Sequence, residues 1–207
     1  MQESRIAVVS STAAATLRQL VMFIIDKVVD EDKKELLKPN EYTETVLPDG
    51  THKNLGPSAL DAYSVVEDLC LLANSEKPHF LKLGSLPKTF ALELIESVLT
   101  NYHDLFRQHN ELLVLLQHHL CPLLLKLLSD KPLFPLTLRS TRVVFILLKQ
   151  FSTELVTEAE VFLALLIKII GGESESSSPD AINRPQWMRV LCMEIVRGLV
   201  CLYICEY

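Results

Sequence analysis

The sequence has little glycine, and none of its glycines forms a phosphate-binding motif. Only six glycines occur in 207 residues, with no GxGxxG pattern and no P-loop. Because proteins bind phosphates with glycine-rich turns that bring backbone N–H groups together, we do not expect nucleotide binding. The motifs GxSxG, HExxH and CxxC, which are common signatures of acyl transfer and zinc sites, are also missing. We therefore expect a protein that is not an enzyme, with no catalytic residues, cofactor or metal.

Positive charge is scarce and scattered along the sequence. The formal net charge is -6 and the pI is about 5.5. Nucleic-acid binding requires a concentrated basic patch, and the Lys and Arg residues form no such run in the sequence. We therefore expect no nucleic-acid partner.

Long apolar runs and a secretory leader are also missing. The N-terminal MQESRIAVVSS has no basic segment followed by an apolar stretch, and the longest charge-free apolar runs, such as VFLALLI at 161–167, are shorter than the ~20 residues that span a bilayer. Five cysteines are an odd number, and the first three lie in apolar helical patterns typical of free core cysteines. We expect a soluble, cytoplasmic protein whose membrane contacts are peripheral.

Leucine-rich amphipathic segments make up most of the sequence. Hydrophobic residues form 49% of the chain and aromatic residues only 7%. From Pro57 onward, helical patterns follow one another at roughly 20 to 25 residues, which gives a paired unit of roughly 40 residues. The stretch 109–130 is either two short helices or one helix kinked at Pro122. The pattern predicts an all-α fold, an armadillo- or HEAT-like α-solenoid of stacked helix pairs.

Two segments interrupt the helical pattern. Residues 35–56 are charged and contain the turn signal PDG, so we predict a solvated linker between a helix in residues 1–34 and a helical domain in residues 57–207. Residues 171–184, GGESESSSPDAINR, are predicted to form a flexible loop in that domain. The N-terminal helix is apolar on nearly all sides, which suggests a buried position and a missing neighbour before it.

The helix SLPKTFALELIESVLTNYHDLF, 85–106, has both an apolar stripe and a polar face. Pro87 is typical of a first helical turn, and the residues Leu94, Val98 and Leu99 are predicted to stack on neighbouring helices. Polar residues of this helix, and two residues that begin the last helix, are candidates for contact with a partner. The residues that we predict to face a partner are Pro87, Lys88, Glu93, Glu96, Trp187 and Arg189.

Histidine pairs provide only weak candidates for chemistry. His118 and His119 are adjacent, which turns them about 100° apart on a helix, whereas two ligands of one metal favour a spacing of four. His103 followed by Asp104 could be an oriented base, but polar residues at a helix end more often cap it. Both pairs are therefore interpreted as structural or solvated residues.

Two further pairs favour ordinary roles. Glu93 and Glu96 are neighbours on a helix and could act as paired carboxylates, but a solvated face is the favoured interpretation. Cys201 and Cys205 are one turn apart, a spacing that permits a shared metal or a lipid attachment, although packing is favoured. Met22, Phe23 and the LVCLYI segment near the C-terminus are either membrane or partner contacts or exposed ends of a stack.

Several stretches together resemble the Mon-two family of Golgi and endosome trafficking proteins, which are related to the large Arf guanine-nucleotide-exchange factors. The resemblance runs in collinear order from about Ile6 to Leu199. The stretches that carry it are STAAATLRQLV, DAYSVVEDLCLLAN, LPKTFALELIESVL, LCPLLLKLLSD, FPLTLRSTRVVFILLKQFSTELVTEAEVFLALLIKII and RPQWMRVLCMEIVRGL.

The resemblance implies a domain assignment and partners. Residues 1–34 correspond to the last helix of the dimerization and cyclophilin-binding domain, and residues 57–207 to the homology-upstream-of-Sec-seven domain. It implies an armadillo-like scaffold on trans-Golgi and endosomal membranes. The implied partners are Dop-one family proteins, phospholipid flippases and Arf- and Arl-type small GTPases, and self-association is a separate expectation.

Two other classes of function remain open. The chain could be the regulatory part of a true Arf exchange factor whose catalytic domain lies elsewhere. A stand-alone enzyme would instead require a deep pocket where polar residues such as His103, Glu111 and His118 converge. The sequence also departs from the family: most of the first regulatory domain is absent, the tail VCLYICEY does not continue the pattern, and the family's acidic asparagine-and-aspartate motif is missing.

Overall fold

The computed structural model describes residues 7–34, 42–84, 86–171 and 184–205, and most of them are helical. The predicted loop at 171–184 lies almost wholly outside the described residues, as do the last two residues of the tail. The helices are α1 (Ala7–Lys34), α2 (Pro57–Ala73), α3 (Lys88–Asn101), α4 (His103–Gln108), α5 (Asn110–Leu115), α6 (Cys121–Ser129), α7 (Phe134–Gln150), α8 (Val156–Gly171) and α9 (Gln186–Cys205). The all-α prediction is confirmed.

Prolines stand at the beginning of three helices. Pro57 is the first residue of α2, Pro87 is the N-cap of α3, and Pro135 lies in the first turn of α7. A first turn accepts proline because its N–H groups have no carbonyl partner within the helix and its φ suits proline. These boundaries therefore follow from local sequence.

A π-helical segment joins α5 to α6. Leu116–Leu120 has π geometry, so residues 110–129 form one continuous helical stretch instead of two separate helices. Pro122 has no N–H to donate to the carbonyl of His118, and its ring would crowd that carbonyl in a regular α-helix. The wider π turn before the proline relieves this conflict.

The same stretch, Asn110–Ser129, is long and apolar enough to cross a membrane and is alone in this among the described helices. However, 56% of its apolar window is buried inside the protein. A core helix passes the same compositional test, and the buried leucines here belong to the common core. Those leucines are Leu112, Leu115, Leu116, Leu120, Leu123, Leu124, Leu127 and Leu128.

A β-hairpin precedes α2, within the range predicted as a linker. Strand β1 (Thr43–Val46) pairs antiparallel with β2 (His52–Leu55). Gly50 has φ +82 in the turn, and the Asp49 carboxylate accepts the Thr51 N–H at 2.9 Å. Leu47 and Leu55 are buried in the core. The connection in residues 42–56 is mostly exposed, as predicted, but the PDG signal turns a hairpin whose two leucines pack on the core, which was not predicted.

The helices pack in two rows. The first row is α1, α3, α7 and α9, which contact one another in that order, and the second contains α2, the α5–α6 stretch and α8. Arg18 of α1 pairs with Glu93 of α3, whereas Tyr102, just after α3, reaches Asp26 further along α1, so α1 and α3 run parallel. This regular arrangement is the one expected of a helical repeat fold.

The first helix is covered on one side only. Val21, Ile25 and Val28 are buried against α2 and α3, whereas Leu20 and Phe23 are exposed. Within the described chain, the neighbours of α1 therefore cover a single face, and apolar residues of the opposite face are exposed.

Candidate interaction surface

The first row of helices carries an ion-pair network on its surface, which we call the first-row network: Arg18, Glu93, Glu96, Arg139 and Arg142. Arg139 contacts Glu93 at 3.2 Å and Glu96 at 3.0 Å, and Arg142 contacts Glu96 at 3.2 Å. Arg18 of α1 pairs with the other oxygen of Glu93. Three arginines thus alternate with two carboxylates across α1, α3 and α7.

Helix geometry explains why these residues meet. Glu93 and Glu96 are three residues apart on α3, and Arg139 and Arg142 are three apart on α7, so each pair projects from one face of its helix. Helices α3 and α7 lie side by side, and Glu93 pairs with Arg139 while Glu96 pairs with Arg142, so the helices run parallel and the two faces meet in register. The side chain of Glu96 is only 16% exposed. The interpretation of Glu93 and Glu96 as a solvated face is therefore wrong: their carboxylates are engaged within the chain.

Two other predicted contact residues lie at the N-terminus of α3. Pro87 is exposed, and its carbonyl accepts the N–H groups of Phe90 and Ala91 in the first turn. Lys88 is half-buried. Both border the first-row network from one end of α3, and their role in partner contact stays a prediction.

Trp187 and Arg189 lie in the first turn of α9. Trp187 is half-buried and packs edge-to-face on Phe134, with ring centroids 5.2 Å apart. The Nε atom of Arg189 is buried and has no hydrogen-bond partner among the described residues. The structure thus gives Trp187 a packing role between α7 and α9, while partner contact by either residue stays a prediction.

A second polar cluster, missed by the sequence analysis, joins α1, the hairpin and α5. Its members are Asp32, Lys53, His109 and Glu111. The ring of His109 contacts Glu111 through Nδ1 at 2.8 Å and Asp32 through Nε2 at 3.0 Å. Lys53 of β2 donates to the other oxygen of Glu111 at 2.5 Å. The one feature of the sequence that could have indicated this cluster is Glu111, an acidic residue at the beginning of a strongly apolar helix.

The cluster shifts the pKa values of His109 and Glu111. The hydrogen bond to Glu111 raises the pKa of His109 above its usual value, against the effect of burial, and the bond to Asp32 adds to the increase. Burial by itself would raise the pKa of Glu111, but hydrogen bonds from His109 and Lys53 outweigh it and lower the pKa to about 2. The cluster is therefore a charge-assisted clamp between three elements.

The histidines named for a possible enzyme do not converge. His109, not His103 or His118, lies beside Glu111. The ring of His103 lies 3.6 Å from the carboxylate of the neighbouring Asp104, and His118 lines a separate cavity of about 210 Å³ between α2 and the π segment. In the described ranges, no group of three or more His, Cys, Asp or Glu side chains has the geometry to hold a metal ion.

The buried cysteines are poor nucleophiles. Burial raises the pKa of the Cys70 and Cys121 thiols to about 12 and that of Cys192 to about 11. These thiols stay protonated near neutral pH, as expected of core residues. Cys201 is exposed. The side chain of Cys205 lies outside the described part, so the Cys201 and Cys205 pair stays untested.

Comparison with known proteins assigns the helical region to a family. Residues 58–201 match the family described as the Mon2/Sec7/BIG1-like HUS domain, which is more than half of the chain. The chain belongs to this family. The HUS region begins in α2 and ends in α9, so it includes Glu93, Glu96, Arg139 and Arg142, whereas Arg18 lies before it.

Individual relatives agree with this assignment. The chain is 35% identical to the MON2 homologs of Xenopus laevis and Homo sapiens, in gapped alignments of 217 and 216 positions that cover 93% and 91% of the chain. It is 32% identical to the MON2 homolog of Drosophila melanogaster in a gapped alignment of 213 positions that covers 92% of the chain. The chain spans 12% of the length of each of these relatives. The resemblance seen in the sequence is confirmed.

Proposed function

We propose that the chain is a non-catalytic scaffold of vesicle-mediated protein transport at the trans-Golgi network and endosomes. It acts through protein contacts as a module related to the regulatory parts of Arf exchange factors. The observation that carries this proposal is the match of residues 58–201 to the Mon2/Sec7/BIG1-like HUS domain, together with 35% identity to MON2 homologs. Its proposed location is the cytoplasmic face of these membranes, where it is peripheral.

The proposed partners are those that the family resemblance implies. They are Dop-one family proteins, phospholipid flippases and Arf- and Arl-type small GTPases, with self-association as a further contact. The relatives are much longer than this chain, so these partners are proposed for the module and not transferred from any one relative.

The first-row network supplies a surface suited to such contacts. An isolated exposed ion pair contributes little stability, about 0 to 1 kcal/mol, but shared carboxylates hold several side chains in one arrangement. Arg18 and Arg142 stand at the two ends of the network, with side chains 40% and 57% exposed. Their guanidinium groups retain donors for carboxylates of a partner, which is the chemistry that arginine favours at interfaces.

The alternative function is the regulatory portion of an Arf guanine-nucleotide-exchange factor, with its catalytic domain outside this chain. The same family description supports it, since that description names Sec7 together with Mon2. The two proposals differ in what the complete protein does to nucleotide exchange, not in how this module folds.

Binding to small GTPases tests the proposal. The purified chain is mixed with Arf- and Arl-type GTPases in their GTP and GDP forms, and binding and nucleotide exchange are recorded in the same samples. We expect binding that is selective for the GTP form without faster exchange. Accelerated exchange would show that the chain is an exchange factor, and absence of binding to every GTPase would remove them from the proposed partners.

A matched pair of variants locates the contact. Arg142→Glu reverses the charge at one end of the first-row network and is expected to weaken GTPase binding about tenfold. Arg197→Glu changes an arginine of α9 whose side chain is also exposed and also paired with a nearby glutamate, Glu194. It is expected to leave binding unchanged. Equal effects of the two variants would mean that the network is not the contact surface.

A further inference from the structure

His109 lies between two carboxylates that belong to different parts of the chain. It is the residue between α4 and α5, and its Nδ1 atom is 2.8 Å from a carboxylate oxygen of Glu111, at the beginning of α5. Its Nε2 atom is 3.0 Å from a carboxylate oxygen of Asp32, in the last turn of α1. Each ring nitrogen therefore faces an acceptor, and the ring joins α1 to α5.

Only the protonated ring of His109 can donate to both carboxylates. An imidazolium has two N–H groups, whereas a neutral imidazole has one N–H group and one lone pair. In the neutral ring, one nitrogen would present its lone pair to a carboxylate oxygen at hydrogen-bond distance, and two acceptors that close repel each other. Loss of one proton therefore breaks one of the two contacts.

The two carboxylates differ in what can replace the lost donor. The side chain of Glu111 is only 2% exposed, and its other oxygen already accepts from Lys53 at 2.5 Å. The side chain of Asp32 is 42% exposed, so its oxygens can turn to water. A buried carboxylate without a donor is more costly than an exposed one. The remaining proton therefore stays between Nδ1 and Glu111, and the contact with Asp32 is the one that is lost.

A cavity of about 500 Å³ adjoins these residues and gives a released Asp32 carboxylate access to water. The titratable side chains that line it are Glu31 and Asp32 of α1, Tyr42 and Lys53 of the hairpin region, His109, and Glu111 of α5. The other lining residues, from β2 to α2 and from α4, are uncharged. When His109 is neutral, three carboxylates and one lysine remain around the cavity, and repulsion between like charges favours the movement of Asp32 away from Glu111.

The rest of α1 is held independently of His109. Val21, Ile25 and Val28 are buried against α2 and α3. Glu31 accepts the backbone N–H of Ser58, at the beginning of α2, at 2.9 Å. A carboxylate of this kind keeps its charge near neutral pH. Release of Asp32 should therefore loosen residues 32–34 only, while the preceding turns of α1 stay packed.

We propose that the contact between His109 and Asp32 is a pH-sensitive latch on the end of α1. The charged ring holds Asp32 beside α5, and the neutral ring releases it. The latch joins a helix that precedes the HUS region, residues 58–201, to a helix within that region. This inference goes beyond the proposed scaffold function and does not depend on it.

The latch should respond from near-neutral to mildly alkaline pH. The hydrogen bond to Glu111 is the largest cause of the raised pKa of His109, and the bond to Asp32 adds to it, against the effect of burial. The folded ring therefore loses its proton above the ordinary histidine pKa of about 6.5. Below that pH the latch is closed, and it opens as pH rises through the folded value.

Hydrogen exchange between pH 6 and 9 tests the latch in the full chain. The exchange rates of the backbone N–H groups of residues 32–34 are divided by their intrinsic rates at each pH, and the titration of His109 is followed by NMR in the same samples. We expect their protection to fall about tenfold as the ring titrates, which corresponds to the loss of one charge-assisted hydrogen bond. The amides of α3 report global unfolding and should remain far better protected, which would show that the opening is local.

Two substitutions in the last turn of α1 separate the latch from ordinary fraying of a helix end. Asp32→Asn replaces the carboxylate by an amide, which can accept from a charged ring or donate to a neutral one, so the protection of residues 32–34 should no longer depend on the titration of His109. Asp30→Asn removes an exposed carboxylate of the same turn and should keep the full pH response. Circular dichroism of each variant verifies that the helical content is unchanged.

Four results would overturn the proposal. A ring that keeps one charge state from pH 6 to 9, or protection that stays constant as the ring titrates, would show that the contact does not act as a latch. Loss of protection at residues 111–113 in place of residues 32–34 would show that the contact with Glu111 breaks instead. A pH response that persists in Asp32→Asn would assign it to other groups. These measurements contain no GTPase, so their failure is distinguishable from failure of the scaffold proposal.

Discussion

The two halves of the molecule differ in the hydrogen-bond partners of their buried polar side chains. In the N-terminal half, α1 to α6 with the hairpin, the buried carboxylates Asp68 and Glu111 bond to segments distant in sequence. In the C-terminal half, α7 to α9, the buried hydroxyls Ser140 and Thr141 bond to carbonyls of their own helix, at Leu136 and Leu138. Charged hydrogen bonds thus position elements in the first half, whereas apolar packing joins the helices of the second.

The difference follows from what each half contains. The N-terminal half has a hairpin and a long loop, whose backbone groups cannot be satisfied by regular helical bonds, so side chains must satisfy them. The C-terminal half consists of three long helices joined by apolar faces, with contacts such as the Phe134 and Trp187 rings and the close approach of Gly198 to Phe145. The stability of the first half should therefore depend on pH, and that of the second on the volume of its buried side chains.

The largest expected effect is a loss of volume in the C-terminal half. Phe162→Ala removes a fully buried ring from α8 and should lower the free energy of unfolding by about 3 to 5 kcal/mol. The neighbouring Leu163 is exposed, and Leu163→Ala should change it by less than about 0.5 kcal/mol. Urea unfolding measures both. Similar losses for the two variants would mean that α8 does not pack as described.

The second effect concerns the buried carboxylate of the N-terminal half. Asp68→Ala leaves the N–H groups of residues 79–81 without their acceptor and should lower the free energy of unfolding by about 3 kcal/mol. Asp61→Ala, at an exposed position of the same helix, is the control. Hydrogen exchange should accelerate at residues 79–81 in the Asp68 variant. Unchanged exchange there would contradict the role of Asp68 in fixing this loop.

The third effect is pH dependence, which should be confined to the N-terminal half. The pKa of His109 is raised, so its contribution to stability is complete below its unfolded pKa of about 6.5 and is lost as pH rises through the folded value. The pKa of Glu111 is lowered to about 2, so its contribution is present above its unfolded pKa and is lost as pH falls toward 2. The clamp should therefore stabilise the fold most between about pH 4.5 and 6.5.

Substitution of His109 separates its contribution to the pH dependence of stability from that of Glu111. His109→Gln should remove the decline in stability above pH 6.5, with a loss of about 1 kcal/mol at pH 6. His52→Gln changes an exposed histidine of the hairpin that is also beside a carboxylate, Glu44, and should leave the profile nearly unchanged. Thermal unfolding across pH 5 to 9 provides the measurement. Identical profiles for the original chain and the His109 variant would show that the clamp does not titrate.

The smallest effect should occur where the halves join. Glu96 contacts Arg139 and Arg142 across α3 and α7, so Glu96→Gln should lower the free energy of unfolding by about 1 kcal/mol. Glu194→Gln disrupts an exposed pair within α9 and should cost less than about 0.5 kcal/mol. Urea unfolding at low and high salt separates the two. Equal small losses would mean that the first-row network adds no more than isolated surface pairs.

Much of the fold could be predicted from local patterns. The starts of α2, α3 and α7 follow from Pro57, Pro87 and Pro135, and the apolar stripe of Leu94, Val98 and Leu99 is buried as predicted. The hairpin was missed because its strands have only four residues each and its turn signal also suits a loop. The π segment was not predicted because the sequence does not distinguish a kink from a π turn. Either one relieves the crowding between the ring of Pro122 and the carbonyl of His118.

The candidate surface was predicted only in part. Glu93 and Glu96 were correctly placed on one face of α3, since three-residue spacing decides this. Their ion pairs depend on Arg139 and Arg142, more than forty positions later, and on parallel packing that no local pattern encodes. The same reason explains why His109 was not recognised, since its partner Asp32 belongs to α1.

The sequence by itself determined the helical character, most helix boundaries and the family, because periodicity, proline and collinear similarity are properties of neighbouring residues. Only the tertiary structure decided which charges are paired and which stay free. Glu96 and Arg142, for example, are far apart in the sequence and form an ion pair because α3 and α7 pack side by side. Electrostatic fields depend on distance in space, and the fold alone sets those distances.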